Sequence, residues 1–206
     1  MKSGYMFRLE YPKDYAAVEG LIREAFWNVY QPGCDEHFIV HRLRDNRSVI
    51  SELNYVCEDA SGSICGHIFY TRSKVISGDG TEYPVISFGP ISVHPDHQKR
   101  GIGSALIRMT LEIAAKMQFF GVLITGNPKF YHRFGFQDAA SYGIVAEDGS
   151  SFPELMAYEL GDQRLASIHG RLCFCPEFSE IDQDELQRFD ALFPSKTKIK
   201  LPGQLF

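Results

Sequence analysis

Phe88 to Leu106 reads FGPISVHPDHQKRGIGSAL. An apolar strand pattern runs to Val93 and His94-Pro95-Asp96 ends it. The glycine loop Gln98-Lys99-Arg100-Gly101-Ile102-Gly103 then opens an amphipathic helix, with Ile102, Ala105, Leu106, Met109, Ile113, Ala114 and Met117 on one face. Glycines at a helix start let backbone N–H groups come close to a ligand, and those first amides have no intrahelical acceptor. Together with the positive end of the helix dipole they make a site for a pyrophosphate, and Lys99 and Arg100 add charge that suits one. Three readings of the loop compete. A dinucleotide fingerprint needs glycine or alanine at position 106, which is Leu106. A Walker loop needs Gly-Lys-Ser/Thr, which is absent. The third reading is a turn that uses its glycines for geometry alone, and the loop by itself does not separate it from a phosphate cradle.

Working outward, Val122 to Thr125 is a short apolar run suited to a buried strand. Asn127-Pro128 reads as an N-cap followed by proline in the first helical position, with a short helix toward Arg133. On the other side, strands are predicted over Leu53 to Glu58 and Ile64 to Val75, turning at Ser61-Gly62. A turn at Gly78-Asp79-Gly80 leads to a strand from Val85 to Val93. Tyr5 to Leu9 reads as a first strand, and helices are predicted from Asp14 and over Asp35 to Arg44. Later strands are expected at Tyr142 to Ala146, Leu155 to Leu160 and Arg171 to Cys175. Asp182 and Glu185 form a capping-box pattern for a last helix with Leu186, Phe189, Leu192 and Phe193 inside. Helices, a strand meander, a strand–loop–helix–strand crossover and further strands define an α+β class with a central mixed sheet.

Composition narrows the function. The 206 residues carry a net charge of −5 and a pI near 5.8, which argues against nucleic acid as the main partner. The length suits one domain, residues 1–206, with a core over about 5–160 and an extension over about 161–206. Five cysteines without framework spacing read as free thiols in a reducing compartment. Cys173 and Cys175 would share one face of a strand as small buried groups, and no metal site is expected. The start lacks a signal-peptide core and no apolar run reaches spanning length, so a cytoplasmic protein without membrane association is expected.

The segment Q-K-R-G-I-G-S resembles the acetyl-CoA pyrophosphate loop, Q/R-x-x-G-x-G/A, of the GNAT N-acetyltransferase superfamily. Downstream, Tyr131-His-Arg-Phe-Gly135-Phe136 resembles that family's Y-x-x-x-G-F. The run G-N-P-K-F-Y-H-R-F-G-F followed by F-P-E-L-M-A-Y-E-L is similar to the bacterial YhbS-like subgroup. The resemblance implies the GNAT fold: a mixed, mostly antiparallel twisted sheet, splayed between its fourth and fifth strands and flanked by helices.

It also implies an activity, the transfer of acetyl from acetyl-CoA to a primary amine of a small molecule or protein by direct attack. By resemblance, main-chain groups of Ile91 and Val93 hold the pantetheine. Lys99, Arg100, Gly101, Ile102, Gly103 and Ser104 hold the pyrophosphate. Tyr131 is the general acid for the departing thiolate, and an N–H near Ile91 receives the oxyanion. Tyr131 also reads as an aromatic anchor of a short helix.

Three positions depart from the family. Ser87 and Gly89 stand where several members carry a base, and neither is one. Glu58 or His67 reached through water would serve, though both read as ordinary exposed strand residues, and no base is assigned. Where many members carry an asparagine seven residues before the tyrosine, this chain has Ile124. Asn127 either substitutes as a cofactor contact or caps its helix. The second class of function is an acyl-CoA-binding sensor without turnover. A third reading has the region after Gly161 pairing subunits into a homodimer.

Overall fold

The computed structural model describes residues 4–161, 164–178 and 181–204. In chain order the elements are β1 (Met6–Leu9), α1 (Tyr15–Phe26), α2 (Glu36–Leu43), β2 (Tyr55–Glu58), β3 (Ile64–Ile76), β4 (Glu82–Val93) and α3 (Ile102–Ala114). They continue with β5 (Gly121–Thr125), α4 (Pro128–Tyr131), β6 (Gln137–Asp138), β7 (Ile144–Val145), β8 (Leu155–Glu159), β9 (Gly170–Cys173) and α5 (Gln183–Asp190). The strands pair in the order β1-β2-β3-β4-β5-β8-β6, with β9 on β3 and β7 on β9. This is the expected mixed sheet of a GNAT-like α+β fold, open and flanked by helices.

The chain divides into two compact units, and β3, β4 and α3 each contribute to both. The first comprises Met1–Phe69, Pro90–Leu106 and Glu177–Phe206. Here β1 pairs antiparallel with β2, and β2 with the start of β3. Helices α1 and α2 bury Val18, Ile22, Val40 and Leu43, giving the apolar stripe that their spacing predicts. The entry to α1 is tied down by charge. The Arg8 guanidinium donates to Asp14 Oδ2 at 2.6 Å and also pairs with Glu58, while the Tyr11 amide donates to Asp14 at 2.9 Å. Arg8 holds the Asp14 carboxyl below its ordinary range.

Helix α5 belongs to this unit as well. Asp182 caps it, its Oδ1 accepting from the amides of Asp184 and Glu185. Leu186 and Phe189 pack on Phe38, and Asp190 accepts from Arg23 Nε at 2.7 Å. The helix stops at Asp190, so Leu192 is exposed instead of facing inward as its spacing suggests.

The second unit comprises Tyr70–Gly89 and Ile107–Pro176. β4 and β5 pair in parallel, Ile86 opposite Val122, the crossover that α3 makes necessary. β5 and β8 form a five-residue antiparallel ladder from Gly121–Glu159 to Thr125–Leu155. Val75, Val85, Leu123, Leu155 and Leu172 fill the core.

Two expectations shift here. Tyr142 closes a short 3₁₀ turn, and only Ile144 and Val145 extend, because Gly143 takes a left-handed conformation. β9 ends at Cys173, so Cys173 and Cys175 do not share a strand face; Cys175 is buried and Cys173 partly exposed. None of the five cysteines forms a disulfide among the described residues. No helix among the described residues is long and apolar enough to cross a membrane.

Candidate functional site

The glycine loop lies in the first unit. At the end of β4 the His94 amide donates to Cys65 O of β3 at 2.9 Å, and Gln98 Nε2 returns to Val93 O at 3.2 Å. Between them Pro95–His97 make a single 3₁₀ turn. Lys99 (φ +60°) and Gly101 (φ +86°) then adopt left-handed backbone on either side of Arg100. Such alternation turns successive N–H groups toward one concave face, the geometry of an anion nest. α3 begins at Ile102, its first hydrogen bond running from the Ala105 amide to Gly101 O at 2.9 Å.

The two glycines serve different needs. Gly101 answers a backbone demand, since an L-residue resists φ +86°. Gly103 does not: a Cβ there would stand 3.6 Å from Val93 Cγ2 and 3.8 Å from Ile91 Cδ1, an ordinary contact. The protein's own packing therefore admits a side chain at 103, and glycine leaves the face of the first helical turn open to a ligand. Ile102 is buried, so it offers a ligand its amide and not its side chain. Lys99 and Arg100 are exposed, while Ile91, Val93 and Ser104 are half-buried. Exposed cations, first-turn amides and an open glycine suit a pyrophosphate.

A polar chain supports this loop from behind. Arg100 Nη1 donates to Tyr5 Oη at 3.3 Å, and Tyr5 Oη pairs with His97 Nδ1 at 3.2 Å. His97 Nε2 in turn lies 3.8 Å from Asp59. His97 is thus engaged by Tyr5 and Asp59.

Tyr131 lies in the second unit, as the last residue of α4. Asn127 caps that helix: its Oδ1 accepts from the Lys129 amide at 3.0 Å, and its carbonyl from the amides of Phe130 and Tyr131. The capping reading of Asn127 therefore holds. The Tyr131 ring is half-buried among Phe88, Phe130 and Phe136, with centroids 5.9, 5.0 and 5.6 Å away. It also closes over Gly126, where a Cβ would meet the ring at 2.3 Å. Tyr131 is thus an aromatic anchor with a hydroxyl at its end.

Ser87 is buried and exchanges a hydroxyl hydrogen bond with Ser73 at 2.9 Å, so it is not a base. Glu58 is committed to Arg8. His67 is a correction: it is fully buried, not an exposed strand residue, because it points from β3 into the core beside Phe69. Sequence reading also passed over Gly66 and Gly126. The available signal was a glycine inside or beside a strand, which marks close approach of another group. Among the described residues no group of three or more His, Cys, Asp or Glu side chains could hold a metal ion.

Residues 51–138, which include the glycine loop and Tyr131, match the family described as Acetyltransferase (GNAT) domain. The chain is 22% identical over 174 residues to the uncharacterized N-acetyltransferase YhbS of Escherichia coli K12, covering 84% of this chain and 98% of that protein. A second Escherichia coli K12 protein, the uncharacterized N-acetyltransferase YjhQ, is 32% identical over 79 residues, 38% of this chain and 43% of that one. Among solved structures, Escherichia coli YhbS in complex with CoA superposes with a TM-score of 0.77 at 21% identity, over 88% of this chain and 96% of that one. A GNAT family acetyltransferase from Brucella melitensis, in complex with acetyl-CoA, superposes with a TM-score of 0.67 at 25% identity, over 85% and 98%. The chain therefore has the GNAT fold. Its similarity to YhbS is a shared architecture at low identity.

Proposed function

We propose that this protein is an acetyl-CoA-dependent N-acetyltransferase that moves an acetyl group to a primary amine by direct attack. The observation that carries the reading is the Lys99–Gly103 loop, with left-handed residues on either side of Arg100 and an open glycine at the start of a 13-residue helix. The match of residues 51–138 to the GNAT domain supports it, as do the CoA and acetyl-CoA bound by the two structural relatives.

In this reading, the amides from Arg100 to Ser104 hold the pyrophosphate and Lys99 adds charge. Main-chain groups of Ile91 and Val93 align the pantetheine. The Ile91 amide stabilises the oxyanion formed as the amine attacks the thioester carbonyl. The C–S bond then breaks, and Tyr131 gives its phenolic proton to the departing thiolate. Asn127 shapes the turn that carries Tyr131 through its cap.

Calorimetry with acetyl-CoA on the wild type and on Gly103→Glu tests the loop. Micromolar binding abolished by the glutamate supports it, and no binding by folded wild type overturns it. Thiol release over a panel of amines then tests turnover; binding without release favours an acyl-CoA sensor.

A further inference from the structure

The mechanism above leaves the amine's proton without a destination, and the first unit contains a set of buried polar atoms that the fold does not use. Glu10 follows β1, Arg44 follows α2, His67 lies on β3 and Ser92 on β4. The Glu10 and Arg44 side chains are 3% and 7% exposed, His67 is fully buried and Ser92 is 1% exposed. Arg44 Nη1 donates to Glu10 Oε2 at 2.6 Å, and His67 Nε2 lies 3.5 Å from the same oxygen. Beyond these contacts, Glu10 Oε1, Arg44 Nε and Nη2, both ring nitrogens of His67 and Ser92 Oγ have no hydrogen-bond partner among the described residues.

These atoms converge. The His94 amide bonds Cys65 O across the β3–β4 hairpin, so two residues along each strand Ser92 stands opposite His67, on the same face. The Arg44 guanidinium stacks 3.9 Å over the Tyr15 ring and 5.6 Å from that of Phe69, which fixes its plane and leaves the Nε–Nη2 edge open. Buried polar groups in folded proteins are satisfied, and where protein supplies no partner an internal water does. Open donors on Arg44, open acceptors on Glu10 and His67 and a hydroxyl on Ser92 supply the several polar partners such a water needs.

We infer that Glu10, Arg44, His67 and Ser92 enclose an internal water site, and that His67 takes up the acceptor amine's proton through that water. This rests on the acetyltransferase reading. Ser92 adjoins Ile91, which that reading places at the thioester, so the water site lies one strand from the chemistry. Glu10 faces His67 Nε2 and selects the tautomer with its proton there, leaving Nδ1 to accept. The proton leaves the ammonium, passes to water, and water gives one to Nδ1. The imidazolium then donates through Nε2 to Glu10, and the proton returns to solvent after release of the product. The charged and titratable groups around His67 are Glu10 and Arg44, with Tyr15 behind Arg44. Burial keeps the imidazole neutral and ready to accept, while Glu10 opposes that effect. Burial would raise the Glu10 carboxyl, but His67 and Arg44 outweigh it and keep it ionised.

The test is the pH profile of kcat/KM for wild type, His67→Gln and Ser92→Ala with the best amine of the panel, alongside acetyl-CoA calorimetry. In His67→Gln, kcat should fall on the order of a hundredfold, the acidic limb of the profile should disappear, and acetyl-CoA affinity should hold. Ser92→Ala should lose about tenfold with the limb retained. A folded His67→Gln with the wild-type profile overturns the inference. Should His67→Gln not fold, an unchanged rate in Ser92→Ala overturns it equally. Wild type that binds acetyl-CoA but acetylates no amine overturns the transferase reading and takes this inference with it.

Discussion

Tyr131 and Gly126 share one space: a Cβ at residue 126 would stand 2.3 Å from Cε2 and 2.8 Å from Cδ2 of the tyrosine ring. Gly126→Ala must therefore move the phenol. A displacement of about 1 Å at a reacting group costs up to about a hundredfold in rate. We expect turnover in Gly126→Ala to fall ten- to a hundredfold by that principle, with acetyl-CoA affinity unchanged by calorimetry. Tyr131→Phe is the companion variant. It keeps the ring among Phe88, Phe130 and Phe136 and should lose turnover while acetyl-CoA affinity holds. Equal turnover in Tyr131→Phe would remove the acid role.

Gly66 seats the glycine-loop helix. Its missing side chain makes room for Ile102 Cγ2, 2.6 Å from where a Cβ would be, with Cys57 Cβ at 3.1 Å. Gly66→Ala overpacks this spot, at a cost of about 1–3 kcal/mol, and displaces the start of α3. Both the denaturation midpoint and acetyl-CoA affinity should drop. A lower midpoint with wild-type affinity would show that the loop does not depend on this seat.

Lys99 occupies left-handed backbone at φ +60°, which costs a non-glycine residue roughly 1–2 kcal/mol. Lys99→Gly relieves that strain and loosens the unfolded chain, for a net gain of about 0.5 kcal/mol. Chemical denaturation should show the gain, and acetyl-CoA affinity should fall with the lost charge. Lys99→Asn, which tolerates the same conformation, should match the glycine variant in affinity.

Stability should depend on pH through buried groups near α2. Burial lowers His37 to about 4 from an ordinary 6.5. Its contribution is fully present above pH 6.5 and is lost as pH falls toward 4, about 3 kcal/mol in all. Glu36 runs the other way, since burial raises it to about 7 from 4.5. Its contribution is present below pH 4.5 and is lost as pH rises toward 7. His67, also lowered by burial, adds to the His37 trend. The urea midpoint of His37→Gln should therefore climb less than that of wild type between pH 4.5 and 6.5, and that of Glu36→Gln should climb more. Parallel curves for wild type and His37→Gln would mean that His37 titrates normally.

Local signals explain what the sequence made legible. Asn127-Pro128 and Asp182 announce their helix starts because capping needs only neighbouring amides. The glycine loop reads directly because its chemistry is backbone geometry, and the meander follows from turns within a few residues. Features set by distant groups stayed hidden. Gly66 and Gly126 look like interruptions until Ile102 and Tyr131 are seen to fill the space beside them. Two-residue β6 and β7 exist only through pairing with β8 and β9, which no local pattern specifies. His67 sits in an apolar run, and its burial depends on Glu10 and Arg44 arriving from other elements. The roles of Ile91 and Val93 are invisible in their side chains because the expected contacts are main-chain.

The ion pair of Arg23 with Asp190 spans 167 residues of chain. A ribosome makes α1 early and must then make nearly everything else before the carboxylate that neutralises Arg23 exists. Until then α1 and α2 carry a cation destined for burial and a bare apolar surface where Phe38 awaits Leu186 and Phe189. The first unit therefore closes after translation has passed β9, the ninth strand of the chain, as a late step of biogenesis. Nascent chains halted before α5 should be the species that chaperones bind and proteases clear.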